Sequence, residues 1–347
     1  MFLYDYELGK AADIVVRDLF ALKPGETFVI TADTECDMRV IHATARAAFA
    51  AGAKPMVILH AAPLGVGKAA DPMLPVESLA GALKGADAWV EFNNQWLLYS
   101  TPYDIAFREN KKLRHLNLVG MNPDMMVRCI GRIDFAALER FQETFSKILS
   151  DSRHVRITTP AGEDIEFDHA PRLPIRCRMG YAHKPSSEML AGQISSTPDF
   201  DSIRGAVVFD GSLVPPCGKL EESVLLTIDA GTIVKVEGGA QAREFETWMN
   251  SFNHPQMKRL AHLSYGFNPG ARLTGDIVED ERVWGSTEWG IGNVPPTIVP
   301  PDGFPAPSHC DGICLNSSVW LDGEQIMDQG RLVNQELVAL AEPLGKS

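Results

Sequence analysis

Apolar residues recur at helical spacing near the start of the chain: Leu8, Ala11, Ala12, Val15, Val16 and Leu19 lie between Leu8 and Leu22. A Pro24-Gly25 turn then leads into the apolar run Thr27 to Ile30, which predicts a strand. The next helical stretch, Met38 to Ala51, stops at Gly52, and a second strand follows over Lys54 to Leu59. Ala80 to Lys84 is helical, Ala88 to Phe92 is a third strand, Pro102 to Asn110 is helical, and Arg114 to Val119 is a fourth strand. Alternating helices and strands imply parallel pairing with helices packed on the sheet. A helix over Phe135 to Leu149 is expected to close this part. From Arg153 the texture changes to short strands and turns, such as Val155 to Thr159, Ile165 to Phe167, Gly205 to Asp210 and Ser223 to Ile228. Gln241 to Met249 reads as a helix, and Ser318 to Met327 reads as a hairpin turning at Asp322-Gly323. The predicted fold class is α/β: an N-terminal α/β domain with a mostly parallel sheet over residues 1–150. A C-terminal α+β domain rich in short strands follows over residues 151–347.

Composition narrows the function classes. A chain of 347 residues exceeds the size of one growing core, in keeping with two domains. A net charge of −13 argues against a phosphate-binding surface, so no nucleic-acid partner is expected. No run reaches the 18 or more apolar residues of a membrane span. Met1 to Lys10 carries acids where a signal peptide needs bases, which predicts a cytoplasmic protein. The six scattered cysteines then read as reduced thiols, not as a disulfide framework.

Candidate chemistry falls at one loop of the first domain and in three segments of the second. Strand ends and following loops form the ligand crevice of a parallel sheet, so Asn93, Asn94, Gln95 and Tyr99 are candidates to reach a cleft. Three later segments combine polar ligands with loop glycines: Ala261 to Gly270, Glu281 to Asn293, and Ser308 to Leu315. His309-Cys310-Asp311 sits in a strand-like stretch, where residues two apart share a face. With 9 His and 45 Asp plus Glu, composition alone supplies about one His-x-acid, so the motif by itself is weak. Cys310 and Cys314 are expected on the opposite face, in structural roles. His262, Glu288, His309 and Asp311 together form a ligand-type set within about fifty residues, suited to a divalent metal.

The order and spacing of these segments resemble the C-terminal domain of the aminopeptidase S/T-like metallopeptidases. That resemblance covers most of the chain, with specific motifs in the last hundred residues. Where the peptidases carry a glutamate before their Gly-rich loop, this chain has His262. Glu288 stands in place of their middle histidine, and Gln193 in place of an earlier glutamate. What survives is two imidazoles and a carboxylate, the ligand set of a mononuclear non-haem iron site. One branch of the same superfamily, the 2,5-dihydroxypyridine 5,6-dioxygenases, is similar in having a His before a Gly-rich loop and a Cys-His-x-Asp-like segment. Gly180-Tyr181-Ala182 with Pro185 is also similar to that branch. The resemblance implies Fe(II) held by His262, His309 and Asp311, with Tyr99, Ser286, Glu288 and Gly290 on the substrate side. Tyr99 stands where those dioxygenases carry a pocket histidine, and Gly290 where they carry a pocket serine. A phenol is a poorer base than imidazole at neutral pH but a good hydrogen-bond donor.

The leading expectation is an Fe(II)-dependent, extradiol-type ring-cleaving dioxygenase. It would act with O₂ on a hydroxylated pyridine or a related hydroxylated aromatic acid, with Tyr99 and Glu288 as catalytic residues. The alternative is an aminopeptidase-like metallohydrolase using zinc or cobalt, completed by Glu288 or Glu281. A third reading is a binding or assembly protein that kept the fold without the chemistry. The resemblance also implies a homo-oligomer.

Overall fold

The apolar run Thr27–Asp33 becomes an interior strand, paired in parallel with Lys54–His60 on one side and Ala88–Glu91 on the other. Arg114–Asn117 and then Ser186–Met189 extend the same sheet, also in parallel, to five strands. The structure, a computed structural model, describes residues 5–170, 173, 175–296 and 298–346. The first four residues of the acidic start lie outside that range.

Helices Met38–Ala50, Val76–Lys84 and Thr101–Glu109 connect the parallel strands. Their starts are sequence-encoded. Asp37 accepts Arg39 N–H at 3.0 Å and Ser100 accepts Tyr103 N–H at 3.4 Å, each satisfying an amide with no helical partner. The first helix, Asp5–Ile14, continues into a π turn over Val15–Leu19, and Leu8, Ala11, Val15, Val16 and Leu19 are all buried.

This first unit extends to Ile133 and includes Met179–Ala191; the second comprises Asp134–Arg178 and the chain from Gly192 onward. Helix Phe135–Asp151, expected to close the first domain, therefore belongs to the second unit. Its inward stripe explains why: Phe145 packs on Phe267 and Tyr265 with ring centroids 4.6 and 5.4 Å apart, and Phe141 packs on Phe267 and Trp284.

Among the described residues the second unit holds two antiparallel sheets, one of eight strands and one of seven. Val155, Ile157, Phe167, Val207 and Leu226 from the larger sheet share a core with Ile194, Leu263, Trp289, Ile291 and Cys310 from the smaller. The hairpin forms as expected, with Asp322 at φ +50° and Gly323 at φ +89°, the left-handed pair that an Asp-Gly turn supplies. The architecture is thus mixed α/β, a parallel sheet in one unit and strand-rich antiparallel sheets in the other. Among the described residues no helix is long and apolar enough to cross a membrane.

Candidate metal centre

Four neighbouring strands of the seven-stranded sheet build the site: Gln193–Ser196, Leu260–Gly266, Thr287–Val294 and Phe304–Cys314. Directly opposed residues share a face, so register decides which side chains meet. His262 stands opposite Gly290, and Gly290 opposite Asp311, making one row across three strands. His309 stands opposite Gly292 in an adjacent row. Ser195, Ser264 and Glu288 make the row on the other side. The alternate residues Leu263, Trp289, Ile291 and Cys310 face the core. The two glycines leave the middle strand without side chains in the rows of His262, Asp311 and His309, so His262 and Asp311 meet above Gly290. A Cβ at position 290 would stand 2.5 Å from His262 Nε2.

Three potential ligand atoms converge there. His262 Nε2 is 3.1 Å from His309 Nε2, His309 Nε2 is 2.9 Å from Asp311 Oδ1, and His262 Nε2 is 3.5 Å from Asp311 Oδ1. Ligands at right angles around one ion, each about 2.1 Å from it, lie about 3.0 Å apart, so this spacing fits one face of a metal's coordination sphere. The tautomer of His309 agrees. Its Nδ1 lies 2.8 Å from Asn293 O, which only accepts, so Nδ1 carries the proton and neutral His309 turns its Nε2 lone pair to the cluster.

The electrostatics show a demand for positive charge. Burial pushes the His262 imidazolium down to about 4, leaving the ring neutral and able to ligate. Burial also disfavours charge on His309, but the adjacent Asp311 outweighs it and holds the His309 pKa above its ordinary value. Asp311 is pushed up by burial and held down more strongly by His309, ending at about 2. Glu288 is fully buried behind His262, its Oε1 3.4 Å from His262 Nδ1; neither atom meets another partner among the described residues. Burial, then the Asp311 charge, raise the Glu288 pKa.

Beside the cluster lies a buried polar knot. Gln193 Nε2 donates to Glu281 Oε2 at 2.7 Å and to Ser264 Oγ at 3.2 Å, and its Oε1 accepts from Arg282 Nη2 at 3.2 Å. Arg282, fully buried, also pairs with Glu281 Oε2 at 2.8 Å. Glu281 is pushed up to about 7, chiefly by burial.

The structure therefore brings His262, His309, Asp311 and Glu288 together, with Gly290 as the floor. Ser286 is buried in the preceding turn, its hydroxyl donating to Val283 O at 2.8 Å. Tyr99 belongs to the first unit, where its φ of +67° is a conformation that side-chain-bearing residues seldom adopt. The loop before it is tied down. Asn93 Nδ2 lies 2.7 Å from His60 Nε2, Gln95 N–H donates to Asp33 at 2.9 Å, and Leu97 N–H donates to Glu91. Ser264, Ser195 and Arg282 went unnoticed in the sequence. Ser264 carried a signal, since it stands two residues after His262 on one strand and so shares its face.

Comparison with known proteins follows the same line. Residues 15–334 match the model of the family described as NicX, 2,5-dihydroxypyridine 5,6-dioxygenase. The curated 2,5-dihydroxypyridine 5,6-dioxygenase of Pseudomonas putida KT2440 is 24% identical over 270 residues, spanning 74% of this chain and 73% of that protein. The solved structure of a 2,5-dihydroxypyridine dioxygenase from Pseudomonas putida KT2440 superimposes with a TM-score of 0.76 at 21% identity. That match covers 96% of this chain and 99% of that one. Wild-type AmpT from Thermus thermophilus superimposes with a TM-score of 0.69 at 15% identity, covering 95% of this chain and all of that one.

Proposed function

The chain belongs to the 2,5-dihydroxypyridine 5,6-dioxygenase family, and on that premise we propose that it opens the ring of 2,5-dihydroxypyridine or a close hydroxylated analogue with O₂. The observation that carries this reading is the convergence of His262 Nε2, His309 Nε2 and Asp311 Oδ1 above a glycine floor. These three would hold one Fe(II). When bound, the iron supplies coordination positions free of protein ligands and the redox chemistry that reactions with O₂ require.

The chain's own residues then have distinct tasks. Asn293 O fixes the His309 tautomer, and Glu288 Oε1 is the acceptor facing the Nδ1–H of a ligating His262, a carboxylate behind a histidine ligand. Its full burial favours this orienting role for Glu288 over direct contact with substrate. Tyr99 is assigned, on the family resemblance, a hydrogen bond from its phenol to a substrate oxygen.

The metallohydrolase alternative is weaker on one specific ground. Cleavage assisted by two metals needs a carboxylate-rich pair of sites, whereas here Gln193 and the Arg282 guanidinium already occupy Glu281. A second cation beside Arg282 would meet a like charge.

Anaerobic reconstitution with Fe(II), followed by oxygen-electrode assays over hydroxypyridines and hydroxylated aromatic acids, tests the proposal. The native protein should consume O₂ with 2,5-dihydroxypyridine or an analogue, and His309→Ala should lose both bound iron and O₂ uptake. A His309→Ala variant that keeps its iron and its activity would refute the assigned ligands.

A further inference from the structure

Two ionisable side chains of the first unit are fully buried and have no task in the chemistry above. They are Glu91, which ends strand Ala88–Glu91, and His115 on the neighbouring strand Arg114–Asn117. Register brings them together. His115 stands opposite Trp89 and Ser187, and Glu91 lies two residues beyond Trp89 on the same face. His115 Nε2 is 3.2 Å from Glu91 Oε2, and its Nδ1 is 2.9 Å from Ser187 Oγ. Trp89, Tyr103 and Phe107 surround the imidazole, with ring centroids 4.1, 5.8 and 6.0 Å from it. Packing alone does not call for an acid and an imidazole in an aromatic box, since apolar residues of the same volume hold a core at least as well. The other oxygen of the acid shows what the pair does: Glu91 Oε1 accepts the N–H of Leu97.

Leu97 lies in the loop between that strand and helix Thr101–Glu109, two residues before Tyr99. Tyr99 has φ +67°, and a residue with a side chain keeps such a backbone only where its surroundings over-determine it. The loop supplies those restraints. Gln95 N–H donates to Asp33 Oδ2 at 2.9 Å, Gly67 N–H to Trp96 O at 3.1 Å, and Thr101 N–H to Asp71 Oδ1 at 2.8 Å. A Cβ on Gly67 would lie 3.3 Å from Leu98 O and 3.6 Å from Tyr99 Cβ, so the loop rests closely on that glycine. Leu97 is bound through both of its backbone groups, its N–H to Glu91 and its carbonyl to Ser100 N–H at 2.8 Å. Its side chain is buried while Tyr99 is 37% exposed, which makes Leu97 the fixed point from which Tyr99 projects.

We propose that Glu91, backed by His115, is the positioning residue of Tyr99. The inference rests on the substrate contact assigned to Tyr99 above. A carboxylate held by an imidazole accepts the Leu97 amide at one place. Without it that amide is buried and unsatisfied, the loop shifts to find another acceptor, and the backbone at Tyr99 relaxes and carries the phenol away. The proposed iron ligands belong to the second unit and make none of these bonds.

A double-mutant cycle on the iron-reconstituted enzyme tests it, read as kcat/KM for O₂ uptake with 2,5-dihydroxypyridine and as iron bound per chain. Tyr99→Phe should lower kcat/KM at least about 10-fold, and Glu91→Leu should lower it by a similar factor. Adding Glu91→Leu to Tyr99→Phe should change it by less than about 2-fold, with iron per chain constant throughout. Glu91→Gln keeps an oxygen for the Leu97 amide and should restore most of the loss. His115→Phe keeps the ring volume in the aromatic box, removes the partner of Glu91, and should repeat the pattern; it decides the matter if Glu91→Leu does not fold. Effects that multiply in the double variant, or iron lost in step with activity, would make Glu91 a general support of the fold and overturn the proposal. Native kcat/KM in Glu91→Leu or His115→Phe would overturn it too. A fully active Tyr99→Phe enzyme would remove the contact that Glu91 is said to position, leaving the iron ligands to stand or fall with His309→Ala. A native enzyme without O₂ uptake would refute the dioxygenase reading and this inference with it.

Discussion

Gly290 contributes no side chain, yet the cluster depends on it. It lies between His262 and Asp311 in the same row, and any Cβ there would press into the His262 ring, 2.5 Å from Nε2 and 2.7 Å from Cδ2. Gly290→Ala should therefore weaken metal binding at least about 10-fold, the scale at which displaced supporting groups act, with little change in fold. A metal titration alongside circular dichroism measures this. Native-like affinity in that variant would mean the ring does not rest on the glycine. A second buried group should reveal itself through pH. Glu163 is buried, accepts from Trp289 Nε1 at 3.0 Å, and is pushed up from 4.5 to about 8 by burial. Because its folded pKa lies above the unfolded one, the folded protein keeps a proton that the unfolded chain releases between those values. Stability is then lost as pH rises from about 4.5 to about 8, by about 5 kcal/mol. Glu163→Gln removes this dependence, so its melting temperature should exceed the native one at pH 9 by clearly more than at pH 5. An equal difference at both pH values would contradict the shift. At this scale His309 and Asp311 were legible because two residues on one strand share a face. Gly290 read only as a departure from a relative's serine, because its position beneath His262 is fixed by strand register, a long-range property that no local pattern carries.

Elements were legible where local periodicity and punctuation agree. The helix ending near Gly52 and the Asp322-Gly323 hairpin stand where Gly and Asp-Gly place them. The helix Phe135–Asp151 was legible as a helix but not as a member of the second unit. Its stripe Phe141, Phe145 and Leu149 announces a buried face, but only tertiary packing on Phe267 and Tyr265 chooses which core receives it. Likewise Ser186–Met189 joins a strand some seventy residues earlier, a pairing with no local sequence mark. The N-terminus of the long helix is closed by Asp134, which accepts Ala137 N–H at 2.9 Å. Asp134→Ala should cost about 1 kcal/mol and lower the melting temperature by about 2 °C. Chemical denaturation checks it, and an unchanged midpoint would mean that solvent satisfies the amide equally well.

For the whole molecule, the alternation of helices and strands was enough for the α/β class. It was not enough for a substrate, because a similar fold carries both a 2,5-dihydroxypyridine dioxygenase and AmpT, and a fold does not choose the side chains of its site. In this chain His262, His309 and Asp311 bring three candidate ligand atoms together, and the buried Arg282 guanidinium pairs with Glu281. The direct measurement is O₂ uptake with 2,5-dihydroxypyridine while Fe(II) is titrated anaerobically into metal-free protein before mixing. Uptake should rise in proportion to iron and break at one Fe(II) per chain. A break at two metal ions per chain, or no uptake at any iron level while zinc or cobalt supports peptide hydrolysis, would contradict the assignment of the site.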